Sequence, residues 1–128
     1  MAELMIISET GMFHSACRFT FTGGVEWRGF QPARSRNPVS PGMVERVDRT
    51  QHINHFIRIS VNEAVLRRAM DAVTAEYSSK NYVLGVVDCV SFSADVARRC
   101  RLRVPRVNIT PYGLIRVLKC WNGYIEFV

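Results

Sequence analysis

Asn81-Tyr82-Val83-Leu84-Gly85-Val86-Val87-Asp88-Cys89-Val90-Ser91-Phe92 is the stretch on which the reading of this chain turns. An apolar run ends at an acidic residue, a cysteine follows, and an amphipathic pattern begins. Asp88 is a good helix N-cap, because its carboxylate can accept the unpaired N–H groups of the first turn. Phe92, Val96, Ala97 and Cys100 share one face of the helix this predicts. Cys89 precedes Phe92 by three positions and Val96 by seven, so it lies on that same inward face. A thiol on the first turn of a helix sits where backbone N–H groups and the positive end of the dipole favour a thiolate, the nucleophilic form. The competing reading is a buried structural cysteine. A nucleophile needs a base, and His14 is the first candidate.

Upstream of that stretch the pattern is mainly β. Residues 4–7 are a short apolar strand. From Phe13 to Thr22 apolar Phe13, Cys17, Phe19 and Phe21 alternate with polar Arg18, Thr20 and Thr22, as in a half-buried strand carrying His14. Gly23-Gly24 is a two-residue hairpin signal, and 25–30 is the return strand. Residues 32–42 hold three prolines and two arginines, Arg34 and Arg36, and read as a loop. A weak strand is predicted at 43–47. Another follows at 53–59, with His55 on the face of Ile53, Ile57 and Ile59. Ser60 and Glu63 form a capping box for a helix running to about Tyr77, with Val61, Val65, Ala69, Ala72 and Val73 as its apolar stripe.

Downstream, Pro105 ends the cysteine helix. Thr110-Pro111 opens a third helix over 111–121, with Leu114, Ile115, Leu118 and Trp121 apolar and Asn122-Gly123 as its stop. Tyr124 to Val128 reads as a final edge strand. The chain has 128 residues, 48% of them hydrophobic, and no repeat or low-complexity tract. The expectation is one domain over 1–128, of α+β class, with an antiparallel sheet packed against about three helices.

Composition narrows the function classes. Four cysteines without a CxxC spacing support neither a disulfide scaffold nor a zinc site. Cys17, Cys100 and Cys120 read as small buried apolar residues. His52 and His55 have no third ligand at a sensible spacing, so neither a metal nor a cofactor is expected. No apolar run is long enough to span a bilayer. Residues 1–8 carry an acid and too short an apolar run for a signal peptide, so synthesis in the cytoplasm is expected, with any export by a signal-independent route. The formal net charge of +6 points to a solvated basic surface or an anionic partner. Arg98, Arg99, Arg101, Arg103 and Arg106 cluster at the end of the cysteine helix, where cations complement the dipole. No RNP motif, zinc finger or interleaved aromatic stripe marks nucleic-acid recognition.

The order of a histidine on an early strand in Phe13-His14-Ser15-Ala16 and a helix opening at Asp88-Cys89-Val90-Ser91-Phe92 resembles the permuted branch of the NlpC/P60 papain-like superfamily. That branch includes lecithin:retinol acyltransferase-like proteins, PPPDE-like proteins and bacterial permuted amidases. Gly29-Phe30-Gln31-Pro32 is similar to a stretch that follows the histidine strand in some such bacterial proteins. The resemblance covers roughly residues 11–105. It departs at Asp88, where asparagine is more usual. A carboxylate beside the thiol raises its pKa unless it points away to cap the helix.

The resemblance implies a papain-like fold, with Cys89 as nucleophile and His14 as general base and later acid. It also implies a third polar group on a strand near the histidine strand to orient the imidazole. Glu26, His55 and Gln31 are the candidates. Folding about a Gly23-Gly24 turn puts Phe21 opposite Glu26 and His14 opposite Ala33, which leaves Glu26 too far along the ladder unless a bulge or a longer turn shifts it. An oxyanion hole would use the Cys89 N–H and a side chain such as Gln31 or Tyr82. Arg34 and Arg36 would border the groove and hold an acidic substrate. The implied activity is cleavage of an amide or isopeptide bond through an acyl-enzyme, with a peptidoglycan stem peptide as one substrate and an antibacterial or host-directed effector as one setting. The alternatives are a lipid or thioester acyl hydrolase or acyltransferase of the same fold, and a non-catalytic module whose basic face binds an anionic partner. Oligomeric state is left open.

Overall fold

A computed structural model describes residues 1–9, 14–33, 39–106, 110–122 and 126–127. Seven strands form one antiparallel sheet: β1 (Ala2–Glu9), β2 (Ser15–Phe21), β3 (Gly24–Pro32), β4 (Val39–Glu45), β5 (Ile53–Val61), β6 (Asn81–Val83) and β7 (Glu126–Phe127). Their spatial order is β6-β4-β3-β2-β1-β5-β7. Three helices, α1 (Glu63–Tyr77), α2 (Cys89–Arg99) and α3 (Pro111–Trp121), join the strands in a common core. The α+β class, the antiparallel sheet and the three helices are as the sequence predicts.

Alternation along each strand sends side chains to two different cores. Leu4, Ile6, Cys17, Phe19, Phe21, Phe30, Ile57 and Ile59 face the helices and meet Leu66, Met70, Phe92, Val96, Leu114 and Leu118. Tyr77 is wedged edge-on between Phe30 and Phe92, and its hydroxyl donates to Asp95. The opposite face carries a smaller core of Met5, Ile7, Ala16 and Trp27, with Ile53 and Phe56 against it. Met5, Ile7, Ala16 and Trp27 are as buried as the main core, so the sheet is covered on both sides there.

Local structure departs from the sequence reading at several points. The β2–β3 pairing runs from Phe21 opposite Gly24 to Ala16 opposite Gly29, so the turn is Thr22-Gly23 and the register lies two residues from the expected one. Gly24 closes it with φ of 154°, a conformation that side chains disfavour. β4 begins at Val39, inside the predicted proline loop, and ends at Glu45 rather than Val47. Pro41 keeps a bond to the neighbouring chain there, its carbonyl accepting from the Ala33 amide. The cap of α1 is Asn62, whose side chain accepts from Ala64 and Val65. Ser60 and Val61 belong instead to β5, and Glu63 accepts from the Thr22 amide and hydroxyl. A bulge between Ser8 and Glu9 breaks the expected alternation, so Ile53 joins the far core while His55, Ile57 and Ile59 face the helices. Trp121 is exposed rather than part of the apolar stripe of α3. Of the final strand, 126–127 pair with β5.

Candidate active site

Asp88 caps α2 through one carboxylate oxygen, which accepts from the amides of Val90 and Ser91, while the other accepts from Gly85. The Asp88 amide in turn donates to the Ser91 hydroxyl, completing a capping box. This fixes the first turn and the direction of Cys89. Deeper in α2, Ser93 is fully buried and meets the Ser15 hydroxyl at 2.8 Å and the Cys17 sulfur at 3.6 Å. Those contacts pin the helix to β2.

The Cys89 sulfur lies among donors. The amides of Ser15, Val90 and Cys89 itself point at it, and the Tyr82 hydroxyl hydrogen-bonds to it. Strand amides lie in the plane of the sheet. Because the β2–β3 ladder ends at Ala16 and Gly29, the amide of Ser15 is left without a β3 partner there. Cys89 takes that ladder position, one peptide bond from His14. Cys89 is only 1% exposed. Burial, followed by the negative charge of Asp88, pushes its thiol up to about 12 against the pull of those amides. Burial and the neighbouring Cys89 and Asp88 also raise the Tyr82 hydroxyl well above its usual range. The resting site therefore holds a thiol.

His14 leaves the strand on the face opposite Ser15. Its Nε2 is 2.8 Å from Glu45 Oε1 and 3.5 Å from Glu9 Oε2. Arg49 donates to both oxygens of Glu45 and lies 3.5 Å from Glu9. His14, Glu9 and Glu45 are each under a tenth exposed. Burial pushes the Glu45 carboxyl up, but the hydrogen bonds and charges of His14 and Arg49 outweigh this and hold it below the usual carboxylate range. Among the described residues neither Glu9 oxygen has a hydrogen-bond partner, and its Oε2 lies 3.5 Å from both His14 Nε2 and Arg49 Nε.

Glu45 reaches His14 across an intervening strand because that strand carries no side chain in the way. Gly29 on β3 is directly opposite Glu45, and Ala16 on β2 is directly opposite Gly29. A Cβ on Gly29 would meet Glu45 Oε1 at 3.1 Å and the Ala16 Cβ at 3.3 Å. The Gly29–Ala16 lane is what brings the carboxylate to the imidazole.

The expected third groups lie elsewhere. Glu26 is opposite Phe19, far along the ladder, and pairs with Arg28 and Arg67. His55 is on β5 facing the helices, its ring 4.2 Å from that of Tyr112. Gln31 is half-buried on β3 opposite Met43. Tyr82 is at the sulfur. Arg34 and Arg36 lie outside the described residues. Cys17 and Cys100 are buried as expected, but Cys120 is exposed. Among the described residues no group of His, Cys, Asp and Glu is arranged to hold a metal ion, and no helix is long and apolar enough to cross a membrane.

The sequence reading missed Glu45, Glu9, Arg49 and Ser93. The available signal was Gly29, a glycine within a strand, which marks a close approach across it. Comparison with protein-family models, curated proteins and solved structures finds no match to this chain.

Proposed function

We propose that this protein is a papain-like thiol hydrolase in which Cys89 is the nucleophile, His14 the base and Glu45 the group that holds the imidazole. The observation that carries this is the pairing of two bonds at two successive residues, His14 and the first residue of β2. The Ser15 amide points at the Cys89 sulfur, and the preceding residue's ring is bound through Nε2 to Glu45. An ionised carboxylate only accepts, so Nε2 donates to Glu45, and the proposal gives the proton-accepting role to Nδ1, the nitrogen nearer the backbone.

In the proposed reaction the ring, which rests on the face of the sheet away from α2, reaches the sulfur around the end of β2, and Nδ1 takes the thiol proton as sulfur attacks the carbonyl carbon of an amide. The C–S bond forms and the carbonyl electron pair moves onto oxygen. Backbone amides at the α2 start and the Tyr82 hydroxyl are the candidate donors to that oxyanion. The intermediate collapses with cleavage of the C–N bond, and His14 returns its proton to the leaving amine. Water then gives a proton to His14 and attacks the thioester, releasing the acid and restoring the thiol. Glu45, itself held by Arg49, balances the transient imidazolium. The amide of a peptidoglycan stem peptide is the proposed substrate, on the family resemblance.

A non-catalytic reading has its own observation. Cys89 is 1% exposed, and the His14 ring leaves its strand on the face away from α2. Turnover separates the two readings. Stem-peptide amides and acyl thioesters are incubated with wild type, Cys89→Ala, His14→Ala and Glu45→Gln, and products and protein adducts are weighed by mass spectrometry. The hydrolase reading expects an acyl adduct on Cys89, no turnover in Cys89→Ala, and a loss of about 10²-fold or more in His14→Ala. Full turnover by Cys89→Ala, or no adduct with any of these substrates, overturns it.

A further inference from the structure

An open groove of about 630 Å³ lies between α1 and the end of α2, lined by Val65, Arg68, Ala69, Asp71, Ala72, Arg99 and Arg101. It is at the opposite end of α2 from Cys89. Val65, Arg68, Ala69 and Ala72 share one face of α1 by helical spacing. Val65, Ala69 and Ala72 make a floor of small apolar side chains, and three guanidinium groups stand around it.

The charges here differ from those next door. In the adjoining hollow, Arg98 pairs with Asp95, and Arg99 approaches Glu76 at 3.8 Å. The side chains of Arg68 and Arg101, by contrast, have no hydrogen-bond or ion-pair partner among the described residues. Arg101 is also the one non-glycine residue among them with a positive φ, at 69°. It follows the C-cap Cys100, and the amides of Arg101 and Leu102 turn back to Arg98 and Ala97. That left-handed position after a helix is where glycine is favoured and other side chains are strained. An arginine there puts a third positive charge on the groove at a cost to the fold.

We propose that this groove docks an acidic, partly apolar peptide segment of a partner protein. Carboxylates of the segment pair with Arg68, Arg99 and Arg101, and its apolar side chains cover the Val65, Ala69 and Ala72 floor. A phosphate backbone would leave the apolar floor of Val65, Ala69 and Ala72 uncovered, and none of the lining residues is an aromatic ring on which a base could stack. Both features favour peptide over nucleic acid.

The test uses the full chain and fluorescence anisotropy with a short labelled peptide of Glu and Leu. A Lys and Leu counterpart, a duplex oligonucleotide and inorganic phosphate are the competitors. The Glu and Leu peptide binds wild type, more weakly as salt rises. The double variant Arg68→Ser with Arg101→Gly weakens it about tenfold, which corresponds to about 1.4 kcal/mol. Arg101→Gly alone weakens binding while raising Tm, because glycine relieves the left-handed backbone. Unchanged affinity in the double variant overturns the proposal, as does a Lys and Leu peptide that binds equally well. Displacement by the oligonucleotide or by phosphate at matched charge concentration also overturns it, in favour of a phosphate-binding surface. A lower Tm in Arg101→Gly assigns the arginine to the fold instead.

Discussion

The Cys89 sulfur is subject to opposed influences. Amides of Ser15, Val90 and Cys89 favour its anion, while burial and the Asp88 charge disfavour it, and the second set prevails at about 12. A helix start does not by itself make a reactive thiol, because desolvation acts on the same atom. This reverses the simplest expectation for labelling. Iodoacetamide near neutral pH should modify exposed Cys120 first and Cys89 slowly, with Cys89 speeding up as pH rises toward its own pKa. Peptide mapping by mass spectrometry reads both sites. Fast Cys89 labelling near neutrality, in a Cys120→Ser background, would mean that the site opens in solution or that the thiol proton is already on a base. The place of Cys89 at the start of α2 and the cap at Asp88 were legible because each announces itself by type and local pattern. Glu45 was not, since 31 residues separate it from His14 and nothing near it in sequence marks its role.

Elements bring such residues together, and here strand register decides. The sequence reading found β2, although the strand begins one residue after His14 rather than carrying it, and it found the return strand, α2 and α3, all of which have clean periodicity. It misplaced the hairpin by two residues and the start of β4, where glycine pairs and prolines leave the pattern ambiguous. Those two elements set the lane through which Glu45 reaches His14. Gly29→Val should therefore push the Glu45 carboxylate aside, because a bare Cβ already stands 3.1 Å from it. The expected result is retained far-ultraviolet circular dichroism with loss of turnover close to that of Glu45→Gln. Wild-type turnover in Gly29→Val would show that the His14–Glu45 bond is not used. The α1 cap was also misread, because Asn62 lies two residues past Ser60 in an equally polar stretch. Asn62→Ala should cost about 1 kcal/mol in urea unfolding, with Ser60→Ala near neutral.

On the scale of the whole molecule the two faces of the sheet do different work. The helix face buries a broad apolar core, whereas the far face pairs a small apolar cluster with four coupled charged or titratable groups: Glu9, His14, Glu45 and Arg49. Buried charges stabilise a fold only while their partners keep them balanced, so this face should respond to acid. Glu45 has its pKa lowered in the folded state, so its ionised form is favoured there relative to the unfolded chain. That contribution is fully present above the ordinary carboxylate pKa of the unfolded state. It is lost as pH falls from there through the lower folded value. Urea unfolding of wild type and Glu45→Gln across that range should give a stability gap that is widest near neutrality and narrows in acid. Protonated Glu45 and glutamine are both neutral, which is why the two proteins converge. A gap that stays constant as pH falls would show that Glu45 contributes through packing rather than charge, and the imidazole would then need another group to hold it.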